Sequence, residues 1–207
     1  MRRVPREWLQ YEYLDPEGIL VELRKASRTF PLNELDCHVR TWRTRRLRKF
    51  GEGRQAALFC CGLSCRLGVK VRFAQVERQD YDVVIAYEMN GEMNFAPVQL
   101  KEWIPDMLPS PQPLQVELDK LKKYTDSSDL AVVFHLNRRA HVVLTDLSYP
   151  TNIGSLWFVG CTEPAQNHWT LIGDLLKEPG HANDFLYPED QHSVKNGSPT
   201  ASAEVQR

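Results

Sequence analysis

Net charge is what this chain lacks. Its 26 lysines and arginines are met by 27 aspartates and glutamates, leaving −1 with histidine neutral. A polyanionic partner can therefore be held only by local clustering of charge, not by the molecule as a whole. Long apolar runs are also missing. The longest, AALFCCGLSC at 56–65, falls well short of the roughly 20 residues needed to cross a bilayer. The opening MRRVPREWLQYEYLD is basic and has no apolar stretch like that of a secretory signal. No membrane partner is expected. Cysteine is scarce, at five, an odd count without disulfide-rich spacing, which points to a reducing, cytoplasmic compartment. Paired C-x2-C knuckles, a phosphate-cradling glycine loop, GxSxG, a recognisable cysteine–histidine spacing and internal repeats are all absent. Zinc-ribbon, nucleotide-loop and serine-hydrolase readings lose their basis.

What is present is an ordinary globular composition of 207 residues, 42% hydrophobic and 26% charged, enough for one domain with a real core and attachments. The expected divisions are an N-terminal extension with a basic helix over 1–50, a core over 51–178 and a disordered, polar tail over 179–207. Along the chain, DPEG reads as a turn, GILVELRK as a short strand, and 37–68 as two helical pieces divided near Gly51 and Gly53. VKVRFAQVE, DLAVVFHLN, AHVVLTDL and GSLWFVGCT read as strands, LQVELDKLKKYTDSS as an amphipathic helix and HWTLIGDLLKE as a closing helix. The fold class is α/β, a mixed β-sheet flanked by helices, with a crossover returning the strand after the 114–124 helix parallel to its neighbour.

Within that order, YDVVIAYEM-NG-EMNFAPVQLKEW is a hairpin about Asn90-Gly91, the strongest short-range turn signal there is. A two-residue loop puts Met89 opposite Glu92, so Asp82 faces Gln99 and Asp80 faces Lys101. One face then carries Asp80, Asp82, Val84, Pro97, Gln99 and Lys101, the other Tyr81, Val83, Ile85, Ala96, Val98 and Leu100. A one-residue slip would mix polar and apolar faces, which supports this register. Asp82 and the amide oxygen of Gln99 can both ligate a hard cation such as Mg²⁺. Lys101 can orient water and stabilise charge building up on a phosphate. The plain structural reading of the same residues is a surface Asp80–Lys101 ion pair at a strand end.

Asp82 followed by QLK at 99–101 on the next strand, with a helix before and a helix after, resembles the PD-(D/E)XK (restriction-endonuclease-like) nuclease superfamily in a Q-x-K variant. The resemblance covers about residues 52–160. It implies a restriction-endonuclease-like core in which Asp82, Gln99 and Lys101 are catalytic, and in which Asp82 and Gln99 hold Mg²⁺ or Mn²⁺, with Glu52 on the first helix completing the site. It also implies that Lys120, Lys123 and Tyr124, on the helix after the motif, face the site or the DNA. The usual acid is Gln99 here, one negative charge fewer for the metal. Glu102, its charged near neighbour, points to the opposite face of a regular strand.

RTWRTRRLRKF at 40–50 carries Arg40, Arg43, Arg45, Arg46, Arg48 and Lys49 with no acid before Glu52. It reads either as a solvated helix or as a phosphate-tracking stripe, and its unbroken run favours the stripe. The expected activity is metal-dependent hydrolysis of DNA phosphodiesters, with a homodimer an admissible assembly. The alternative is a catalytically inactive nuclease-fold protein serving nucleic-acid binding or as an interaction module. Two other sets of residues carry less. Cys61 and Cys65 lie one helical turn apart beside Cys60, with Cys37 and His38 upstream, but cysteine is among the most buried residue types and packing is the preferred reading. His135 and His141 sit in apolar strand patterns and read as core or edge residues.

Overall fold

The computed structural model of the chain describes residues 4–29, 44, 47–76, 80–106, 108, 110–125, 127–138, 140–177 and 180–189. DPEG opens a helix instead of making a turn. Pro16 takes the first helical position, where its missing N–H costs nothing, and Asp15 Oδ2 accepts from the Gly18 N–H at 3.3 Å. The result is α1, Pro16–Thr29, which replaces the expected short strand. Leu20 is fully buried with Ile19 packed beside it, so part of the expected extension belongs to the core.

α2, Arg48–Leu67, is one continuous helix. The expected division at Gly51 and Gly53 does not occur, although each glycine costs about 1 kcal/mol against alanine. Tertiary packing decides the matter: Gly53 is buried, and a Cβ there would lie 3.2 Å from the Gln75 amide nitrogen. The helix stops at Gly68, left-handed at φ 66°, whose N–H donates to the Ser64 carbonyl.

Among the described residues the sheet has seven strands in the order β1 to β7: β1 Arg72–Gln75, β2 Val83–Met89, β3 Glu92–Trp103, β4 Ser127–Leu136, β5 Ile153–Cys161, β6 His168–Ile172 and β7 Ala182–Leu186. β1, β2 and β3 form an antiparallel meander, β3, β4 and β5 run parallel, and β6 and β7 return antiparallel. The β2–β3 register is the expected one, from Met89 opposite Glu92 to Val83 opposite Val98. Asn90 and Gly91 both have positive φ, at 54° and 77°, the requirement of the turn that matches strand twist. The expected crossover is made by α3, Leu114–Asp119, and a 3₁₀ turn over Lys120–Lys123.

Two sequence expectations give way for topological reasons. AHVVLTDL lies in the crossover between the parallel strands β4 and β5 and so cannot join the ladder between them. It forms only a 3₁₀ turn at Leu144–Asp146. HWTLIGDLLKE supplies β6 instead of a closing helix, because buried Trp169 and Leu171 alternate with more exposed residues at period two. β7 also carries the sheet past residue 178, into the segment expected to be a disordered tail, and Tyr187 donates its hydroxyl to the Leu20 carbonyl at 2.9 Å.

Both faces of the central strands are covered. Ala131, Val133, Trp157 and Val159 join α1 and α2 in one apolar cluster, while Val132, Phe134, Leu156 and Phe158 join α3 in another. Each fully buried large side chain stabilises the fold by about 1.5–3 kcal/mol. Among the described residues no helix is long and apolar enough to cross a membrane.

Candidate active site at the margin of β2 and β3

Regular pairing of β2 with β3 ends at Val83, and the residue before it takes over. The Asp82 N–H donates to the Val98 carbonyl at 3.0 Å. Its carboxylate reaches across the gap, where Oδ2 accepts the Leu100 N–H at 2.7 Å and a second bond from the Gln99 side-chain amide. Asp82 thus replaces a ladder partner with a side chain. The face pattern breaks here too. Tyr81, expected beside Val83, packs against the α3-side cluster, and its hydroxyl accepts from Trp8 Nε1 at 3.1 Å.

Gln99 is buried, which leaves no solvent to satisfy its amide. Nε2 goes to Asp82, and Oε1 accepts from the Tyr124 hydroxyl at 3.3 Å. Tyr124 reaches this point because the 3₁₀ turn ends beside β3. Burial raises its hydroxyl pKa, and the negative charges of Asp82 and Asp80 add to the effect.

Lys101 follows on the same face, half-buried. Burial lowers its ammonium pKa, Asp82 opposes that shift, and the positive charges of Lys123 and Arg48 reinforce it. Burial likewise raises the Asp82 carboxyl pKa. The Leu100 N–H opposes, nearby Glu52 adds to the rise, and Lys101 and Arg48 oppose it. Asp82, Lys101, Glu52 and Arg48 therefore share one electrostatic neighbourhood, with Lys123 on the Lys101 side. Among the described residues no Asp80–Lys101 ion pair forms within 4.0 Å, so the plain structural reading of Lys101 is not what the fold displays.

Glu52 lies one turn into α2, and its Oε1 receives Arg48 Nε, four residues back, at 2.7 Å. That i,i+4 spacing was the available signal for a pairing the stripe reading overlooked. Lys49 is in the first turn of α2, and its carbonyl accepts from Gln75 Nε2 at 2.9 Å. Lys120 is paired with Glu117 at 2.7 Å, whereas Lys123 Nζ lies 5.3 Å from the Tyr124 ring. Arg40, Arg43, Arg45 and Arg46 lie outside the described residues.

No protein family, curated protein or solved structure matches this chain. Its own residues carry the functional reading. Among the described residues, no group of three His, Cys, Asp or Glu side chains is placed to hold a metal ion. Cys60 and Cys61 are buried and free and Cys65 is exposed, while Cys37 and His38 lie outside the described residues. Burial pushes the Cys61 thiol up to about 12, which suits packing and not ligation. His135 is buried and stacked on Trp169, and His141 is exposed outside any strand.

Proposed function

We propose that the chain is a Mg²⁺- or Mn²⁺-dependent nuclease that hydrolyses DNA phosphodiesters, built on the restriction-endonuclease-like core that its motif resembles. The observation that carries this reading is the half-buried Lys101 beside Asp82, the residue before β2, with no ion pair of its own among the described residues. The helix, antiparallel meander, helix and parallel strand around it are in the order that the resemblance implies. The donors are few: Asp82, the Gln99 amide oxygen and Glu52. Few protein oxygens fit Mg²⁺, which keeps several waters and takes ligands from substrate phosphate. When bound, the cation would supply Lewis acidity at the phosphate and a water of lowered pKa.

The side chains do the rest. Lys101 donates to a non-bridging phosphoryl oxygen as negative charge develops there, and Arg48 and Lys123 add to the positive field. Tyr124 holds the Gln99 amide in place. The attacking water gives up one proton to solvent as its oxygen bonds to phosphorus, the bond to the leaving sugar oxygen breaks, and that oxygen takes up a proton from solvent. Plasmid cleavage with each metal tests this. Lys101→Ala and Lys101→Met should each lose about 10²–10³-fold in rate, the effect of removing one preorganised donor, with circular dichroism unchanged. Wild-type rates in either variant would remove Lys101 from the mechanism.

The alternative, a nuclease-fold protein that binds nucleic acid without cutting it, is favoured by one observation. The Asp82 oxygen already accepts two N–H groups and the acid expected at 99 is an amide. DNA binding that survives while no metal supports cleavage would select it.

A further inference from the structure

On the opposite side of β3 lies a cavity of about 550 Å³, walled by α1, the N-terminal part of α2, the ends of β3, β4 and β5, and the loop before β6. Three arginines line it, and two of them, Arg54 and Arg24, are fixed by neutral partners. Arg54 donates to Gln166 Oε1 at 2.7 Å and lies 5.2 Å from the Trp169 ring. Arg24 donates to Asn167 Oδ1 at 3.1 Å and to the Gln166 carbonyl at 2.8 Å, with its plane 3.7 Å from the Tyr187 ring centre. All of these acceptors are neutral. Gln166 is the hub: in the left-handed region at φ 56°, it offers both its carbonyl and its side-chain oxygen to the arginines.

Carboxylates at 166 and 167 would have neutralised both cations internally, and the chain has amides there instead. These fix the guanidinium groups without cancelling their charge. Burial lowers the Arg54 pKa, Tyr187 opposes that shift, and the positive charge of Arg24 reinforces it. Arg28 adds a third positive charge at the exposed rim. Glu102, the acid in the wall, accepts from Asn137 Nδ2 at 2.8 Å.

We propose that this cavity binds a phosphomonoester dianion, with the phosphate seated between Arg24 and Arg54. Two forked donors suit the several oxygens and double charge of that group, and the volume lies in the range of small-molecule sites, leaving room for an organic part. The dianion can come from a free nucleotide or from the 5′-phosphate of a strand end. The site is separate from Lys101, and the proposal stands whether or not the chain cuts DNA.

Calorimetric titration of the full chain, with a chelator present to silence metal-dependent cleavage, tests it. The probes are a nucleoside 5′-monophosphate, the parent nucleoside, and one short oligonucleotide with and without a 5′-phosphate. A phosphorylated probe should bind at least tenfold more tightly than its unphosphorylated counterpart. A monophosphate that binds as tightly as the phosphorylated oligonucleotide assigns the free nucleotide, and a tenfold preference for the latter assigns the strand end. Gln166→Glu supplies the missing counter-ion. It should weaken phosphate binding at least tenfold while raising the ligand-free melting temperature, so misfolding cannot mimic the result. Arg24→Gln should weaken binding to a similar degree with circular dichroism unchanged. Equal binding of phosphorylated and unphosphorylated probes, or wild-type affinity in Gln166→Glu, overturns the proposal.

Discussion

A carboxylate and an amide that satisfy each other, as Asp82 and Gln99 do, stand at a balance that one atom can tip. Gln99→Glu replaces a donor with a second acceptor in a buried position. Without metal, a hydrogen bond to a charged group is lost, worth about 1.5–3 kcal/mol, and two carboxylates confront each other. With Mg²⁺ the same change adds a ligand charge, and binding at a hundredfold excess over Kd returns about 2.7 kcal/mol. The variant should melt below wild type in chelator and show the larger Mg²⁺-dependent rise. Equal shifts in the two proteins would count against a cation here. Asp82→Asn probes the other partner. Its folded pKa is raised from the ordinary 3.8, chiefly by burial, so the native state holds its proton more firmly than the unfolded chain does. Stability is therefore lost as pH rises from that ordinary value through the folded one. Asparagine keeps an oxygen for the Leu100 N–H and removes the buried charge. Urea melts should show the variant more stable than wild type at neutral pH, with the gap closing in acid below about 3.9.

At the scale of the element, α2 positions the site and is itself positioned by close approach. A Cβ at Gly62 would lie 2.9 Å from both Leu171 Cβ and Phe185 Cε1, two buried side chains on β6 and β7. Gly62→Ala should gain up to about 1 kcal/mol of helix propensity and lose about 1–3 kcal/mol to overpacking. A net fall in stability by denaturant melt is expected, and a net rise would show that the strands yield. The hairpin was legible in sequence because Asn-Gly sets a loop length, and loop length sets every opposed pair. The shared face of Gln99 and Lys101 followed from it. α1 was not legible as a helix, because GILVELRK suits either element and its Asp-Pro start reads equally as a turn or a cap. β6 and β7 were hidden for a related reason: a short strand at period two is decided by its neighbours in the sheet. Nor could the break at Asp82 be read, since it depends on a side chain taking a backbone N–H that regular pairing would have claimed. The Arg54–Gln166 contact joins residues 112 apart, and no local pattern announces it.

For the molecule as a whole, a net charge of −1 means that the DNA affinity the proposed function requires must come from one region against a neutral or acidic remainder. Of the basic run, Arg48 is held by Glu52, which screens part of its charge from any phosphate. Lys120 is similarly engaged by Glu117. Binding should therefore depend most on cations without such partners, and in the sequence Arg43, Arg45 and Arg46 stand furthest from any acid in the run that precedes Glu52. Counter-ion release converts each phosphate contact into about 0.9 of log–log salt slope on duplex DNA. Replacing these three arginines with alanine should flatten the slope by up to about 3 and weaken binding uniformly across sequences. Lys120→Ala should change the slope by less than any one of them, because the cation it removes is already neutralised. Fluorescence anisotropy across a salt series measures both. A triple variant with the wild-type slope would place the DNA-binding surface elsewhere, and a Lys120 effect as large as a single arginine's would show that its pairing with Glu117 opens on contact with DNA.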